Sequence, residues 1–483
     1  MIHFKAIFKV MGGLLMLLAI SMMPCIAFSY YYRSGDDFPL IMAALISGTV
    51  GATLFFSFAS QDQNIRKREG YLIVALSWVF MTIFGLLPYL FSGSIVHFAD
   101  AVFETISGFT TTGATILEDI EVLPSGVLLW RSMTQWIGGL GIIVLTVAIF
   151  PLLGIGGIEL FVAESPGPTS DKLHPRIQET AKRLWLVYVG LTIVLTWVYY
   201  FQGMTFFDSV CHSLSTMATG GFSTKNASMA YYTSPYIQYT TVFFMFLSGT
   251  NYTLIYLGLN GKFNRVWASD EFRAYLISVS VVVFVVAIAV YLITGVHWEQ
   301  AFRDTLFQVV SLVTTTGYVT ADYTSYNSGL TIIFFMLLFT GACAGSTSGG
   351  IKFIRHLTFV KNSTLEFKRI VHPRAVIPLK INGERVNGRI ITHIFTFLLV
   401  YLMIFVVGSI VMSIAGYDLL TSFGAVASAL GNVGPAIGLV GPMDNFAFFS
   451  PFAKLFLSFL MLLGRLELFT ILVLFTPFFW RAN

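Results

Sequence analysis

Residues 107–115 read SGFTTTGAT, and a hydrophobic run stops there at a threonine-glycine step. The same design returns at 215–224 (STMATGGFST), 311–320 (SLVTTTGYVT) and 428–436 (SALGNVGPA). In each copy a serine stands six residues before a glycine: Ser107/Gly113, Ser215/Gly221, Ser311/Gly317 and Ser428/Gly434. Asp100, Asp208 and Asp304 lie thirteen residues before the first three glycines, where the fourth copy has Thr421. The glycines are 108, 96 and 117 residues apart, a repeat of about 100 residues. Self-similarity at a fixed interval settles architecture before any local reading. Four equivalent units around one axis are implied, and a ring of four glycine-ended loops inside a membrane is how a cation selectivity filter is built.

Composition places the chain in a bilayer. Of 483 residues, 56% are hydrophobic and 11% charged, against about 25% charged in soluble domains. Charges are costly in hydrocarbon, so membrane proteins shed them. Cys25, Cys211 and Cys343 are far apart in apolar segments and read as buried thiols, not as a disulfide set or metal site. Lys5 and Lys9 precede an apolar run from Val10 to about Phe28. That run is long for a signal segment and no small-residue cleavage site closes it, so it reads as an uncleaved first span.

Ten runs are long enough to span: about 8–29, 38–58, 71–92, 130–152, 184–202, 235–258, 274–295, 329–358, 390–414 and 452–478. Four shorter apolar stretches, 98–113, 205–221, 299–317 and 418–434, end in the repeated glycines and read as re-entrant half-helices. The expected fold is an all-α polytopic membrane protein: two N-terminal helices, then four helix–pore loop–helix repeats around a central pore. The expected divisions are 1–70 for the helix pair and 71–160, 161–265, 266–365 and 366–483 for the repeats.

Segments 1–9, 60–70, 153–183, 259–273, 352–389 and 479–483 hold 22 of the 28 basic residues, and all fall on one side if ten helices alternate. The positive-inside rule makes that side cytoplasmic. Both termini are then inside, and all four half-helices enter from outside. The basic stretch 352–389 is a candidate docking surface, with contact to lipid headgroups as its alternative.

A dehydrated cation needs oxygens that replace its water, and backbone carbonyls supply them without full charges. Glycine permits the backbone angles and the close approach this requires. The candidate ion-binding residues are Thr111, Thr112, Gly113, Thr219, Gly220, Gly221, Thr315, Thr316, Gly317, Asn432, Val433 and Gly434. One such helix end would be an ordinary C-cap; four at matching offsets argue for a filter. The three aspartates suit the positive ends of the half-helices, with direct attraction of cations as the alternative.

A second candidate lies in the eighth span, which reads GACAGSTSGG at 341–350: Gly341, Ala342, Cys343, Ala344, Gly345, Ser346, Thr347, Ser348, Gly349 and Gly350. Glycines at this density break a helix, and irregular backbone at membrane depth lines a cavity or is buried in protein. A loop that blocks or clears the pore is expected, with a close-packed glycine face as the alternative. Arg465, inside the tenth span, reads as facing the pore below the filter. Its alternative is an ion pair with a carboxylate such as Glu104. His212 reads as a packed polar residue, and the GGLGI run at 138–142 as helix packing. GIGGIE at 154–159 follows no strand and is not read as a dinucleotide loop.

Together these residues resemble the TrkH family, the membrane subunits of bacterial Trk potassium uptake systems. The resemblance covers nearly the whole chain. It rests on TTTGAT at 110–115, GGFST at 220–224, GACAGST at 341–347, PGP at 166–168 and GRLE at 464–467. It implies K+ as the bound and transported ion, a multi-pass protein of the bacterial inner membrane, and a homodimer among membrane lipid. It also implies a TrkA-like cytosolic regulatory subunit that binds NAD or ATP/ADP. No organic cofactor on this chain, no nucleic acid and no enzymatic activity are implied. In the family the glycine loop and the arginine restrict the path below the filter, here 341–350 and Arg465. Glycine at the first filter position, here Gly113, goes with K+, where serine in plant relatives goes with Na+. The competing class is a secondary transporter coupling K+ or Na+ uptake to H+ or Na+, which usually needs intramembrane carboxylates or histidines; Glu467 and His212 are the few candidates.

Overall fold

The computed structural model describes residues 3–58, 67–141 and 177–481. Expectations for 1–2, 59–66, 142–176 and 482–483, including PGP and GIGGIE, lie outside the described residues. Two N-terminal helices, α1 (Phe4–Tyr32) and α2 (Asp37–Ser57), form a hairpin. Their backbones meet at two glycines: a Cβ on Gly51 would fall 2.9 Å from the Gly12 carbonyl oxygen. Small residues allow such close approach where lipid gives no hydrophobic drive.

Four repeats follow. The first holds α3 (Lys67–Gly85), the half-helix α4 (Phe98–Phe109) and α5 (Ser125–Trp136). The second holds α6 (Ile177–Phe201), the half-helix α7 (Phe206–Met217), α8 (Pro235–Ser248) and α9 (Tyr252–Leu259). The third holds α10 (Asp270–Thr294), the half-helix α11 (Trp298–Val313), α12 (Ser328–Leu337) and α13 (Phe353–Val371). The fourth holds α14 (Gly388–Ile414), the half-helix α15 (Leu419–Gly431), α16 (Pro451–Arg465) and α17 (Phe469–Leu472). The half-helices have 12, 12, 16 and 13 residues. At 1.5 Å per residue they reach about 18–24 Å, short of a ~30 Å hydrocarbon core.

Among the described residues six helices are long and apolar enough to span, and two bent pairs bring the number to eight. The sixth and tenth spans, expected as single runs at 235–258 and 452–478, are each two helices joined at a bend. α8 and α9 meet at 109°, and α16 and the segment Phe469–Phe475 meet at 107°. The first bend falls at Gly249–Asn251, where the Asn251 side chain caps α9 by accepting the Thr253 amide (2.8 Å). The second falls where Glu467 and Leu468 take φ of 55° and 50°. The eighth span divides at the glycine-rich segment, and α5 gives way at Ile137–Gly141 to a π-helical turn. Among the described residues, the helix that follows each filter loop therefore bends or breaks. Freed backbone groups at that depth need partners, and the breaks supply them to one another.

The half-helices are not capped by the repeated aspartates. Thr205, His297 and Asp418 accept the capping amides in the last three. Asp100 and Asp208 lie in the first turns of α4 and α7. Asp100 pairs with Lys454 at 2.7 Å, and Asp208 accepts from Thr224 Oγ1 at 2.5 Å. Asp304 sits in the second turn of α11, since that helix starts earlier.

Candidate ion pathway

The four loop strands share one backbone conformation. Thr111, Thr219, Thr315 and Asn432 take φ of 54°, 53°, 55° and 54°. Two residues later Gly113, Gly221, Gly317 and Gly434 take 78°, 78°, 78° and 96°. The residue before each glycine donates its N–H to the carbonyl of the repeated serine: Thr112 to Ser107 (2.9 Å), Gly220 to Ser215 (2.9 Å), Thr316 to Ser311 (2.8 Å) and Val433 to Ser428 (3.0 Å). This is the local cause of the six-residue offset, because the serine position ends the half-helix ladder and turns the strand back along it. Asn432, the sequence departure, sits at the left-handed position, which Asn tolerates better than a β-branched residue.

The loops close into a ring. A Cβ on Gly113 would overlap the Gly220 carbonyl oxygen, one on Gly221 that of Thr316, and one on Gly317 that of Val433; one on Gly434 would lie 2.7 Å from that of Thr112. Each glycine thus admits the carbonyl of the next loop, in the order one, two, three, four and back to one. The twelve candidate filter residues are brought together by this arrangement. His212 is packed, as expected, between the Asp208 carbonyl (2.8 Å) and Ser223 Oγ (3.0 Å).

The 341–350 segment lies against this ring. The Gly349 N–H donates to Thr315 Oγ1 (2.7 Å), and Thr347 Oγ1 meets Thr219 Oγ1 at 3.3 Å. A Cβ on Gly349 would fall 2.7 Å from that of Asn432. Three of the four left-handed residues therefore touch the segment, and the fourth, Thr111, keeps a buried hydroxyl without a partner among the described residues. Two cations hold successive carbonyls of the loop. Lys352 Nζ donates to Ser346 (3.4 Å) and Ser348 (2.7 Å), and Arg465 Nη1 to Thr347 (2.8 Å). Arg465 Nη2 also reaches the carbonyls of Gly138 (2.7 Å) and Gly139 (3.0 Å). The GG pair expected only to pack thus provides acceptors at the break of α5. Glu104 is not the partner of Arg465: it binds Arg131 Nε at 2.8 Å.

A family model described as TrkH, cation transport protein, matches residues 40–482. The chain belongs to the TrkH family. Trk system potassium uptake protein TrkH of Escherichia coli K12 is 40% identical, with 99% of this chain and 100% of the relative aligned. TrkG of the same organism is 34% identical over 99% of each. The crystal structure of the potassium transporter TrkH from Vibrio parahaemolyticus superposes with a TM-score of 0.90 at 37% identity, covering 99% and 100% of the two chains.

In this TrkH-family chain, sequence reasoning missed the groups behind the ring. Arg131 is fully buried, donates to the Ser223 carbonyl (3.1 Å) and lies 3.9 Å over the Phe222 ring. Gln135, one turn later on α5, bonds Gly220 and Phe222. A charged residue inside a helix that starts earlier than its apolar run was the available signal. Glu467 pairs with Arg355, and Glu271 Oε1 accepts the N–H groups of both Ala344 (2.8 Å) and Ile354 (3.1 Å).

Proposed function

We propose that the chain conducts K+ into a bacterial cell across the inner membrane, through a pore whose selective element is the four-loop ring. The observation that carries this reading is the ring itself: four glycines at one backbone conformation, each packed on the carbonyl of the next loop. Carbonyl oxygens of Thr111–Gly113, Thr219–Gly221, Thr315–Gly317 and Asn432–Gly434 replace the hydration shell of the ion. The names of the relatives, potassium uptake proteins of Trk systems, support the choice of ion.

Beneath the ring, residues 341–350 obstruct the path while Lys352 and Arg465 hold their carbonyls. Opening requires the loop to leave Thr315 and Thr219. A TrkA-like cytosolic subunit carrying NAD or ATP/ADP drives that step from the basic surface 352–389. Both termini lie in the cytoplasm, the chain works as a homodimer, and the repeats divide close to the boundaries expected from sequence, with the first moved ahead of α3 and the last moved past the end of α13.

The test is flux into proteoliposomes of K+, Rb+ and Na+, with Gly113→Ser alongside. Selective K+ flux is expected, and a weaker K+/Na+ preference in the variant, because the added side chain meets the Gly220 carbonyl. Equal flux of the three ions in both proteins would sink the filter. Flux that needs a proton or Na+ gradient would favour coupled transport.

A further inference from the structure

Three of the four loops fix their own backbone. In the first and third, paired hydroxyls stiffen the strand: Thr110 with Thr112 (2.7 Å) and Thr314 with Thr316 (2.8 Å). Ser107 and Ser311 then donate to the carbonyls just past the glycine, Ala114 (2.5 Å) and Tyr318 (2.7 Å). In the fourth, Ser428 holds the Gly434 carbonyl (2.5 Å). The Asn432 carboxamide there reaches Thr112 Oγ1 (3.0 Å) and the Met461 carbonyl (2.9 Å).

Among the described residues the second loop has neither the hydroxyl pair nor the serine bond, and its own side-chain contact is a single one, Thr219 Oγ1 to the Ala218 carbonyl (2.6 Å). Ala218 and Gly220 stand where the paired threonines stand, so neither position offers a hydroxyl. The carbonyl past its glycine, on Phe222, meets the Tyr318 hydroxyl (3.4 Å) of another repeat. Gln135 fills the gap. Its Nε2 donates to the Gly220 carbonyl at 2.6 Å and its Oε1 accepts the Phe222 N–H at 3.1 Å. Only one orientation of the carboxamide satisfies both bonds. A Cβ on Gly220 would overlap the Gln135 carboxamide. Gly220 is bare because a side chain from the neighbouring repeat occupies its place. Positions 131 and 135 share one helix face, and Arg131 extends the brace to Ser223, itself anchored by Glu104.

We infer that Gln135 is a positioning residue for ion selection: a carboxamide lent by the first repeat sets the second loop's Gly220 carbonyl in register with those of Thr112, Thr316 and Val433. The inference rests on the filter reading above. Discrimination depends on the number and placement of the coordinating dipoles, so a loop without its brace relaxes around a smaller or hydrated ion. The ratio of ions suffers more than the total flux.

The experiment uses the full chain, checked by size exclusion, with Gln135→Glu and Gln135→Ala. The first keeps shape and acceptor and loses the donor to Gly220; the second loses both. K+ and Na+ fluxes are measured in proteoliposomes, and thermal protection by K+ against Na+ in detergent reads the same preference without an open path. Both variants are expected to lose about tenfold in K+/Na+ preference, the scale on which buried donors and acceptors left unpaired act. Gln135→Ala with Gly220→Thr, which returns a hydroxyl to the strand, is expected to recover part of it. Gly113→Ser is run beside them. If it shifts the preference and neither Gln135 variant does, the glutamine only packs and the inference falls while the filter stands. If Gly113→Ser leaves the preference unmoved in both assays, the filter reading fails first.

Discussion

At the residue scale, the ring depends on backbone angles that side chains resist. A threonine at φ near 54° is strained by about 1–3 kcal/mol. It persists because surrounding bonds over-determine it: the Thr315 hydroxyl takes the Gly349 N–H, and its amide donates to the Leu312 carbonyl at 3.0 Å. Asn432 carries less strain but more bonds, linking the fourth loop to Thr112 and Met461. Asn432→Ala loses both and leaves the buried Thr112 hydroxyl one partner short. A loss of about 1–3 kcal/mol is expected, read as a lower unfolding temperature in detergent. An unshifted midpoint would mean the fourth loop is held by packing alone. The glycines of the ring were legible in sequence because their spacing repeats. Gln135 and Arg131 were not, because each serves a loop about 90 residues away and no periodicity links them.

At the element scale, helices were legible as apolar runs, and their breaks only where glycine crowds, at 341–350. The bends at Gly249–Asn251 and Glu467–Leu468 carry little compositional warning, and tertiary bonds decide them. The junction of the N-terminal hairpin with the first repeat is similar. Asp36, buried between α1 and α2, accepts the Val127 N–H at 2.7 Å, which caps α5 where Pro124 offers no side-chain acceptor. Ser29 and Ser34 donate to its other oxygen, each at 2.5 Å. The hairpin thus holds the helix that carries Arg131 and Gln135. Asp36→Ala removes the cap, and a cost of about 0.5–2 kcal/mol is expected. Asp36→Asn keeps an acceptor and is expected to cost less; equal effects would show that the carboxylate's charge, not the cap, matters.

At the scale of the whole molecule, the pathway has two layers built from different chemistry. The upper layer is backbone of the half-helix loops; the lower is where all four outer helices break, crossed by 341–350. The bonds that join them run mainly through two residues of the segment, Gly349 to Thr315 and Thr347 to Thr219 and to the Met217 carbonyl, so the two layers are expected to fail separately. Arg465 ties the lower layer together, from the loop in the third repeat to the break of α5 in the first. In the conduction proposed above, its charge also opposes a cation in the path. Arg465→Gln weakens both effects and leaves the ring's own contacts in place. Partner-free K+ flux is expected to rise while the K+/Na+ ratio holds. The basic end, cytosolic in the proposed orientation, should behave in the opposite sense. Lys368 and Arg374 are exposed on and beyond α13, whose start is tied to the loop through Glu271 and to the bend before α17 through Arg355 and Glu467. Neutralising Lys368, Arg369 and Arg374 together is expected to weaken capture of a TrkA-like subunit in a pull-down and to leave partner-free flux and its ratio alone. A ratio that moves with Arg465→Gln as far as the rate does would show that one layer, not two, controls the ion.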